Sequence, residues 1–346
     1  MGYYVSRGMS VAKAALIAGM SKSSYYYKPS GGKPGRRPGQ FTMLRGWGKV
    51  SNALVMDCIE KILSVEFMEN GYKKVAMELK DRGYVINKKK VYRLMKEARL
   101  LNRCQKKTSK KEYVTQYQVE YTQPFEILEI DIKYIYIRGE RRNAYLISIL
   151  DTFTRISMGW DLQYSIRHGH ALTLIDQIIE KFLQEKRPPA QGVRIVLRSD
   201  NDSRFEAKVF REHLHNNCID HTFIQPATPQ QNGHIESFHS VVEALVCSRL
   251  EFENLKHAQE VFQRFFHTYN HRRTIADLLY LPPMVFLQQW EKGNIGMENR
   301  EVRGKKSIKF FFRGKRPQWL SSAPEELLQI GQNKNMSNSY TFEPVS

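Results

Sequence analysis

Residues 125–162, FEILEIDIKYIYIRGERRNAYLISILDTFTRISMGWDL, hold three runs of β-branched and aromatic residues separated by turn signals near Gly139 and at 152–155. This predicts three consecutive strands. A helical run follows, GHALTLIDQIIEKFLQ (169–184), and then VRIVLRSD (193–200) as a fourth strand. Next come a short helix in AKVFREHLHNN (207–217), a short fifth strand in DHTFI (220–224), a loop QPATPQQNG (225–233) and a long helix from about His234. Three meandering strands followed by alternating helices and strands imply a mixed five-stranded sheet with helices on its faces, an α/β architecture.

The chain ahead of this segment is patterned differently. Residues 1–113 carry 25 Lys and Arg against 8 Asp and Glu, whereas the rest carries 29 against 27, so nearly all of the net charge of +19 sits in the first third. A basic arm on a nearly neutral body points to a polyanion-binding module joined to a separate active domain. MSVAKAALIAGMSKSSYYYKP (9–29) reads as helix, tight turn, helix, with Gly19 closing the first and Ser21 capping the second. In that helix-turn-helix-like segment (1–28), Lys22, Ser23 and Tyr25 would face DNA. A basic Gly/Pro linker (29–52) places Arg36 and Arg37 on phosphates.

Residues 53–105 predict a second all-α, helix-turn-helix domain. Ile59, Ile62 and Leu63 share a face, YKKVAMELKDRG brings Lys73 and Lys74, and Asn87 caps a third helix. Val91, Leu94, Met95 and Ala98 of that helix point inward, leaving Lys88, Lys89, Lys90 and Arg93 outward as a major-groove reader. A linker (106–122), a catalytic core (123–290) and a basic, partly disordered tail (291–346) complete the division; within the tail, 300–316 interleaves aromatics with eight basic residues and reads equally as a strand-rich DNA contact or a flexible basic segment. No apolar run approaches the ~18–20 residues of a membrane span. The four cysteines, Cys58, Cys104, Cys218 and Cys247, form no CxxC pair, so neither a disulfide framework nor a zinc site is supported and a cytoplasmic location fits.

Three acids stand out by position. Asp131 interrupts ILEIDIKYI, and strand alternation puts Glu129, Asp131 and Lys133 on one face with Leu128, Ile130 and Ile132 on the other. Asp200 ends the fourth strand, and Glu236 lies in the first turn of the long helix. Singly, each has an ordinary reading: a polar strand face, a turn-former, a helix-dipole partner. Together, three carboxylates at one end of a sheet are what Mg²⁺-dependent phosphodiester chemistry requires, with two ions activating the attacking oxygen and stabilising the leaving one.

The stretches SKSSYYYKP, NGYKKVAMELKDRGYVINKKKVYRLMKEARL, EIDIKYI, YLISILDTFTRISMGWDL, RSDNDSRF, PATPQQNGHIESFH and YNHRR…YLPPMVF occur in order. In them the chain resembles the DDE transposases of bacterial insertion sequences, within the retroviral-integrase superfamily, and in particular the second-frame product of two-frame elements. The resemblance implies an RNase H-like core with Asp131, Asp200 and Glu236 as catalytic and metal-binding residues for two Mg²⁺ ions, with Mn²⁺ as a substitute. It implies double-stranded DNA (element ends and target) as partner, action as a dimer or larger homo-oligomer near the bacterial nucleoid, and an upstream-frame partner protein. Asn232, His239 and Arg273 fall in matching stretches and are expected at DNA.

Two departures stand out. Asp202 replaces the family's usual Gly and reads as a turn variant, since Asp tolerates a left-handed backbone better than most residues. Glu243 stands seven residues after Glu236, where the family commonly has Lys or Arg, and would point a carboxylate at a phosphate unless a cation from elsewhere offsets it. The leading expectation is therefore a transposase that cleaves DNA and transfers strands. The alternative is a catalytically weakened or inactive DNA-binding relic or regulator derived from one, motivated by Asp202 and Glu243.

Overall fold

A computed structural model of the chain describes residues 1–28, 39–102, 121–184, 195–224, 232–302 and 305–316. Arg36, Arg37, the boundary stretch 106–113 and the last thirty residues lie outside the described residues. The chain divides into two compact units, Met1–Gln40 and Phe41–Ser346.

The first unit contains three short helices, α1 (Gly2–Ser6), α2 (Val11–Ile17) and α3 (Lys22–Tyr26). Ser10 caps α2 and Ser21 caps α3, each accepting a backbone N–H three residues on. Gly19 takes a left-handed φ of 61° between them. Among the described residues of this unit only Ala14 and Ala15 are buried, so the three helices show the helix-turn-helix shape with little buried apolar surface.

The second unit opens with a departure from the expected linker. Residues 41–51 form a hairpin, β1 (Phe41–Leu44) and β2 (Gly48–Ser51), and β3 (Tyr84–Val85) adds to β1 on its other side. Alternation drives it: Leu44 and Val50 turn inward, while Gly46 and Gly48 supply positive φ at the turn. The domain expected as all-α thus carries a three-stranded sheet beside α4 (Asn52–Leu63), α5 (Tyr72–Asp81) and α6 (Lys88–Glu97). Val55, Ile59, Ile62, Val75, Leu79, Val91 and Met95 form their shared core. Asn87 caps α6, its Oδ1 accepting Lys90 N–H at 3.0 Å.

The large domain is a mixed sheet of five strands. They are β4 (Ile127–Ile137), β5 (Arg142–Asp151), β6 (Ser157–Gln163), β7 (Ile195–Ser199) and β8 (Ile219–Phe223), in the order β6-β5-β4-β7-β8. The first three are antiparallel; β7 runs parallel to β4, and β8 parallel to β7. This is an RNase H-like arrangement, and the strand order along the chain matches the sequence pattern. One face is covered by α7 (His168–Ile178), which continues as a π-helical turn to Leu183, and by α9 (Lys208–Asn216), reached through the short helix α8 (Ser203–Glu206). The other face is covered by α10 (Gly233–Val242), continued by a π-helical turn over 243–247, and by α11 (Leu255–His271).

Strand β4 serves both layers because its side chains alternate. Leu128 and Ile130 point into the α7 layer, and Ile135 and Ile137 into the α10–α11 layer. Phe67, which follows α4, packs edge-on against Phe265 of α11 at 5.6 Å between ring centres, so the front domain shares the second layer. Part of the segment expected as a tail lies among the described residues. After α12 (Pro283–Glu291), β9 (Ile295–Val302) and β10 (Lys305–Phe312) pair as a hairpin, and Ile295 and Phe310 join Phe153, Leu281 and Phe286 in a further apolar cluster. Interleaved aromatics over 308–312 are therefore core residues in part: the strand-rich reading of the segment holds for its backbone, and neither reading anticipates the burial.

Candidate active site

The face of β4 that carries Glu129, Asp131 and Lys133 meets helix α10 and its continuation rung by rung. Glu129 Oε2 accepts the backbone N–H of Ile235 at 2.7 Å. Asp131 Oδ2 lies 3.1 Å from His239 Nδ1. Lys133 Nζ lies 2.9 Å from Glu243 Oε2. Two residues along a strand advance about 6.6 Å and four along a helix about 6 Å, so three such rungs stay in step. The middle rung closes on itself: Ser148 is the cross-strand partner of Asp131 on β5, and its Oγ lies 2.8 Å from His239 Nε2. Ser148 is fully buried, so this Asp–His–Ser chain orients Asp131 and is no nucleophile.

Asp200 follows the end of β7, half-buried, with its Oδ1 accepting the N–H of Asp202 at 3.3 Å. Glu236 is exposed in the first turn of α10. Burial, and then the negative charge of Asp131, push the Asp200 carboxyl above its ordinary range. The same two causes raise Glu236, with His239 pulling the other way. Asp131 is thus an electrostatic neighbour of both other acids. Among the described residues, no group of three or more His, Cys, Asp or Glu is already gathered closely enough to hold a metal ion.

Glu129 is a residue that sequence reasoning placed on the right face but gave no role. It is almost wholly buried, and burial pushes its carboxyl up to about 7 against the opposing pull of the Ile235 N–H, Arg198 and Arg155. Arg198 Nη1 stands 3.8 Å from Glu129 Oε1, and the two residues are register partners across the parallel β4–β7 pair. His234, beside them, is pushed down to about 3 by burial and by Arg155 and Arg198. The available signal for Glu129 was its period-two spacing from Asp131; its partners are too distant in sequence to be read.

Both departures have local partners. Asp202 is the N-cap of α8, accepting Arg204 N–H at 2.9 Å and the Arg204 Nε at 2.7 Å. The guanidinium holds its carboxyl below the usual range. Its φ is −73°, so a left-handed backbone is not what this position needs. Glu243 meets the offsetting cation in Lys133.

The residues expected at DNA fall into three groups. Lys22, Ser23, Tyr25, Lys73, Lys88 and Lys89 are exposed. Lys90 is half-buried with its Nζ donating to Phe41 O at 2.6 Å, and Arg93 lies 3.7 Å from Glu97. Lys74 is drawn down to about 8 by burial and by Arg273, itself half-buried near Tyr269 and Glu69. Asn232 and His239 are both buried, Asn232 just ahead of α10 and His239 within the middle rung. The face of α10 that carries Ile235, Phe238 and Val242 packs on the sheet and takes His239 with it.

Residues 121–229 and 217–283 match models of the integrase core domain, and residues 50–108 match an HTH-like domain. Over these residues the chain is therefore similar to the integrase core domain, with an HTH-like match in front. It also resembles proteins of bacterial insertion elements. An uncharacterized 39.2 kDa protein of insertion element IS476 from Xanthomonas euvesicatoria is 26% identical over 216 residues, covering 62% of this chain and 60% of that relative. The chain thus matches less than two thirds of that relative's length. An uncharacterized transposase-like protein from Haemophilus influenzae is 23% identical over 215 residues, covering 59% of this chain and 94% of the relative. Among solved structures, the HTLV-2 integrase catalytic core domain in complex with magnesium aligns over 47% of this chain and 96% of that one, at 15% identity and a TM-score of 0.35.

Proposed function

We propose that the chain is a transposase that hydrolyses a phosphodiester at each end of a mobile element and then joins the freed 3′-OH to target DNA. The observation that supports this reading is the course of the chain: Asp131 lies on β4, Asp200 just past the end of the adjacent parallel β7, and Glu236 in the first turn of the helix bonded to β4. Burial, and then the charge of Asp131, raises both of the other carboxyls, and an all-oxygen donor set without thiols suits hard divalent ions such as Mg²⁺ or Mn²⁺. Asp131, Asp200 and Glu236 would hold two of them. When bound, such ions supply Lewis acidity to the phosphodiester, easing attack by water or a 3′-OH and stabilising the departing oxygen.

The protein's own residues position and bind. His239, held by Ser148, fixes the orientation of Asp131. Exposed Lys88 and Lys89 on α6, with Lys22 and Tyr25 on α3, are the surfaces offered to duplex DNA. Joining two ends calls for at least two copies of the chain, acting on nucleoid DNA in the cytoplasm. The relic reading drew on Asp202 and Glu243; Asp202 serves as the cap of α8, and Glu243 pairs with Lys133.

Nicking of a supercoiled plasmid carrying the gene with its native flanks, in Mg²⁺ or Mn²⁺, tests the proposal. Site-specific nicks at the flanks that vanish in Asp131→Asn and Glu236→Gln are expected. Nicking retained at full rate in Asp131→Asn would overturn the assignment. Intact DNA binding without nicking under any metal condition would favour the binding-only alternative.

A further inference from the structure

We infer that Glu129 is a positioning residue that ties together the three segments carrying Asp131, Asp200 and Glu236. The inference rests on reading those three acids as ligands of divalent ions. Glu129 lies two residues before Asp131 on the same face of β4. One carboxylate oxygen accepts the N–H of Ile235, the residue before Glu236, at 2.7 Å. The other lies 3.8 Å from Arg198, two residues before Asp200 on β7. One buried side chain therefore reaches the strand of the first acid, the strand of the second and the helix of the third.

The fold alone does not call for a carboxylate here. Residue 129 is 1% exposed, and an apolar side chain would fill the space without the desolvation penalty that a buried charge carries. What an apolar residue cannot do is receive a free N–H at the start of α10, one of the donors that a helix leaves unpartnered in its first turn. Nor can it draw Arg198 across the sheet. Losing the helix contact would free α10 to slide along β4 and carry Glu236 with it. Losing the Arg198 contact would loosen β7 just before Asp200. Outer groups that orient metal-binding side chains typically contribute about 10–100-fold to metal affinity.

Titration of the full-length chain with Mn²⁺ alone, followed by the electron paramagnetic resonance signal of free Mn²⁺, tests this, with thermal melts of every variant as the folding control. Wild type should bind and Asp131→Asn should lose binding; if Asp131→Asn binds like wild type, the metal reading fails and this inference falls with it. With that control met, Glu129→Ala should bind Mn²⁺ about 10–100-fold more weakly while melting cooperatively. Glu129→Gln, whose amide oxygen still accepts the Ile235 N–H, should recover part of the loss. Wild-type affinity in Glu129→Ala would overturn the positioning role and leave the triad standing. Should Glu129→Ala fail to fold, Arg198→Gln decides: weakening of about tenfold supports the role, and unchanged affinity overturns it.

Discussion

Lys133 and Glu243 form an ion pair at 2.9 Å that joins the strand of Asp131 to the helical segment seven residues beyond Glu236. Glu243 is more than half exposed, so the pair contributes little to stability, about 0–1 kcal/mol. Its consequence lies in the local field: it neutralises a cation two residues from Asp131. Glu243→Lys should therefore leave the melting temperature nearly unchanged while tightening duplex binding. The slope of log affinity against log salt should steepen by about one phosphate contact. Fluorescence anisotropy across a salt series reads both, and an unaltered slope would rule out a role for this pair at DNA.

Asp202 caps α8 and is held by Arg204, which makes its contribution one of stability. Asp202→Ala should destabilise the chain by about 1 kcal/mol through loss of the cap, and Asp202→Gly by less. Mn²⁺ affinity should stay at the wild-type value in both. A drop comparable to that of Asp200→Asn would show that Asp202 is a ligand after all.

Lys74 carries a charge in a half-buried site beside Arg273, with its ammonium drawn down to about 8 from 10.5. Between those two values the unfolded chain keeps a proton that the folded chain has released, so raising pH favours the folded state across that window. Below pH 8 the charged form opposes folding. Lys74→Met should therefore raise stability at pH 7, on the order of 1–2 kcal/mol after allowing for solvent screening. The difference from wild type should shrink as pH climbs from 8 to 10.5. Denaturant melts of the two proteins at several pH values give the comparison, and a difference independent of pH would contradict it.

Arg316, just past the β9–β10 hairpin, grips Asp81 at the end of α5, with Nε at 2.5 Å and Nη2 at 2.8 Å. Asp81 is almost wholly buried. Arg316→Ala should strip a buried carboxylate of a charge partner and destabilise the chain by about 3 kcal/mol, whereas an exposed control such as Lys315→Ala should do nothing measurable. Equal melting temperatures for the two variants would show that the hairpin does not brace the front domain.

The order of strands and helices in the large domain was legible in the chain because its signals are local. Period-two runs such as ILEIDIKYI, a helical stripe such as Ile235, Phe238 and Val242, and caps such as Asn87 each act within a few residues. The same alternation put Glu129, Asp131 and Lys133 on one face of one strand. The hairpin at 41–51 was missed because its strands are four residues each and its glycines read as linker. The β9–β10 hairpin was legible only as one of two readings of 300–316, because its basic residues fit a tail as well as a strand and the burial of Ile295 and Phe310 depends on distant partners.

Which partner each residue on that face would meet was decided only in three dimensions. Glu129 and Ile235 are 106 residues apart, and nothing in either neighbourhood names the other. Their contact exists because a parallel crossover sets β7 beside β4 and the α10 layer buries its apolar stripe on the sheet, bringing a helix of near-equal repeat along the polar half of the strand. That packing turned His239 inward to Asp131 and gave Glu243 its cation. Local periodicity determined which residues share a face; long-range packing decided which charges share a site.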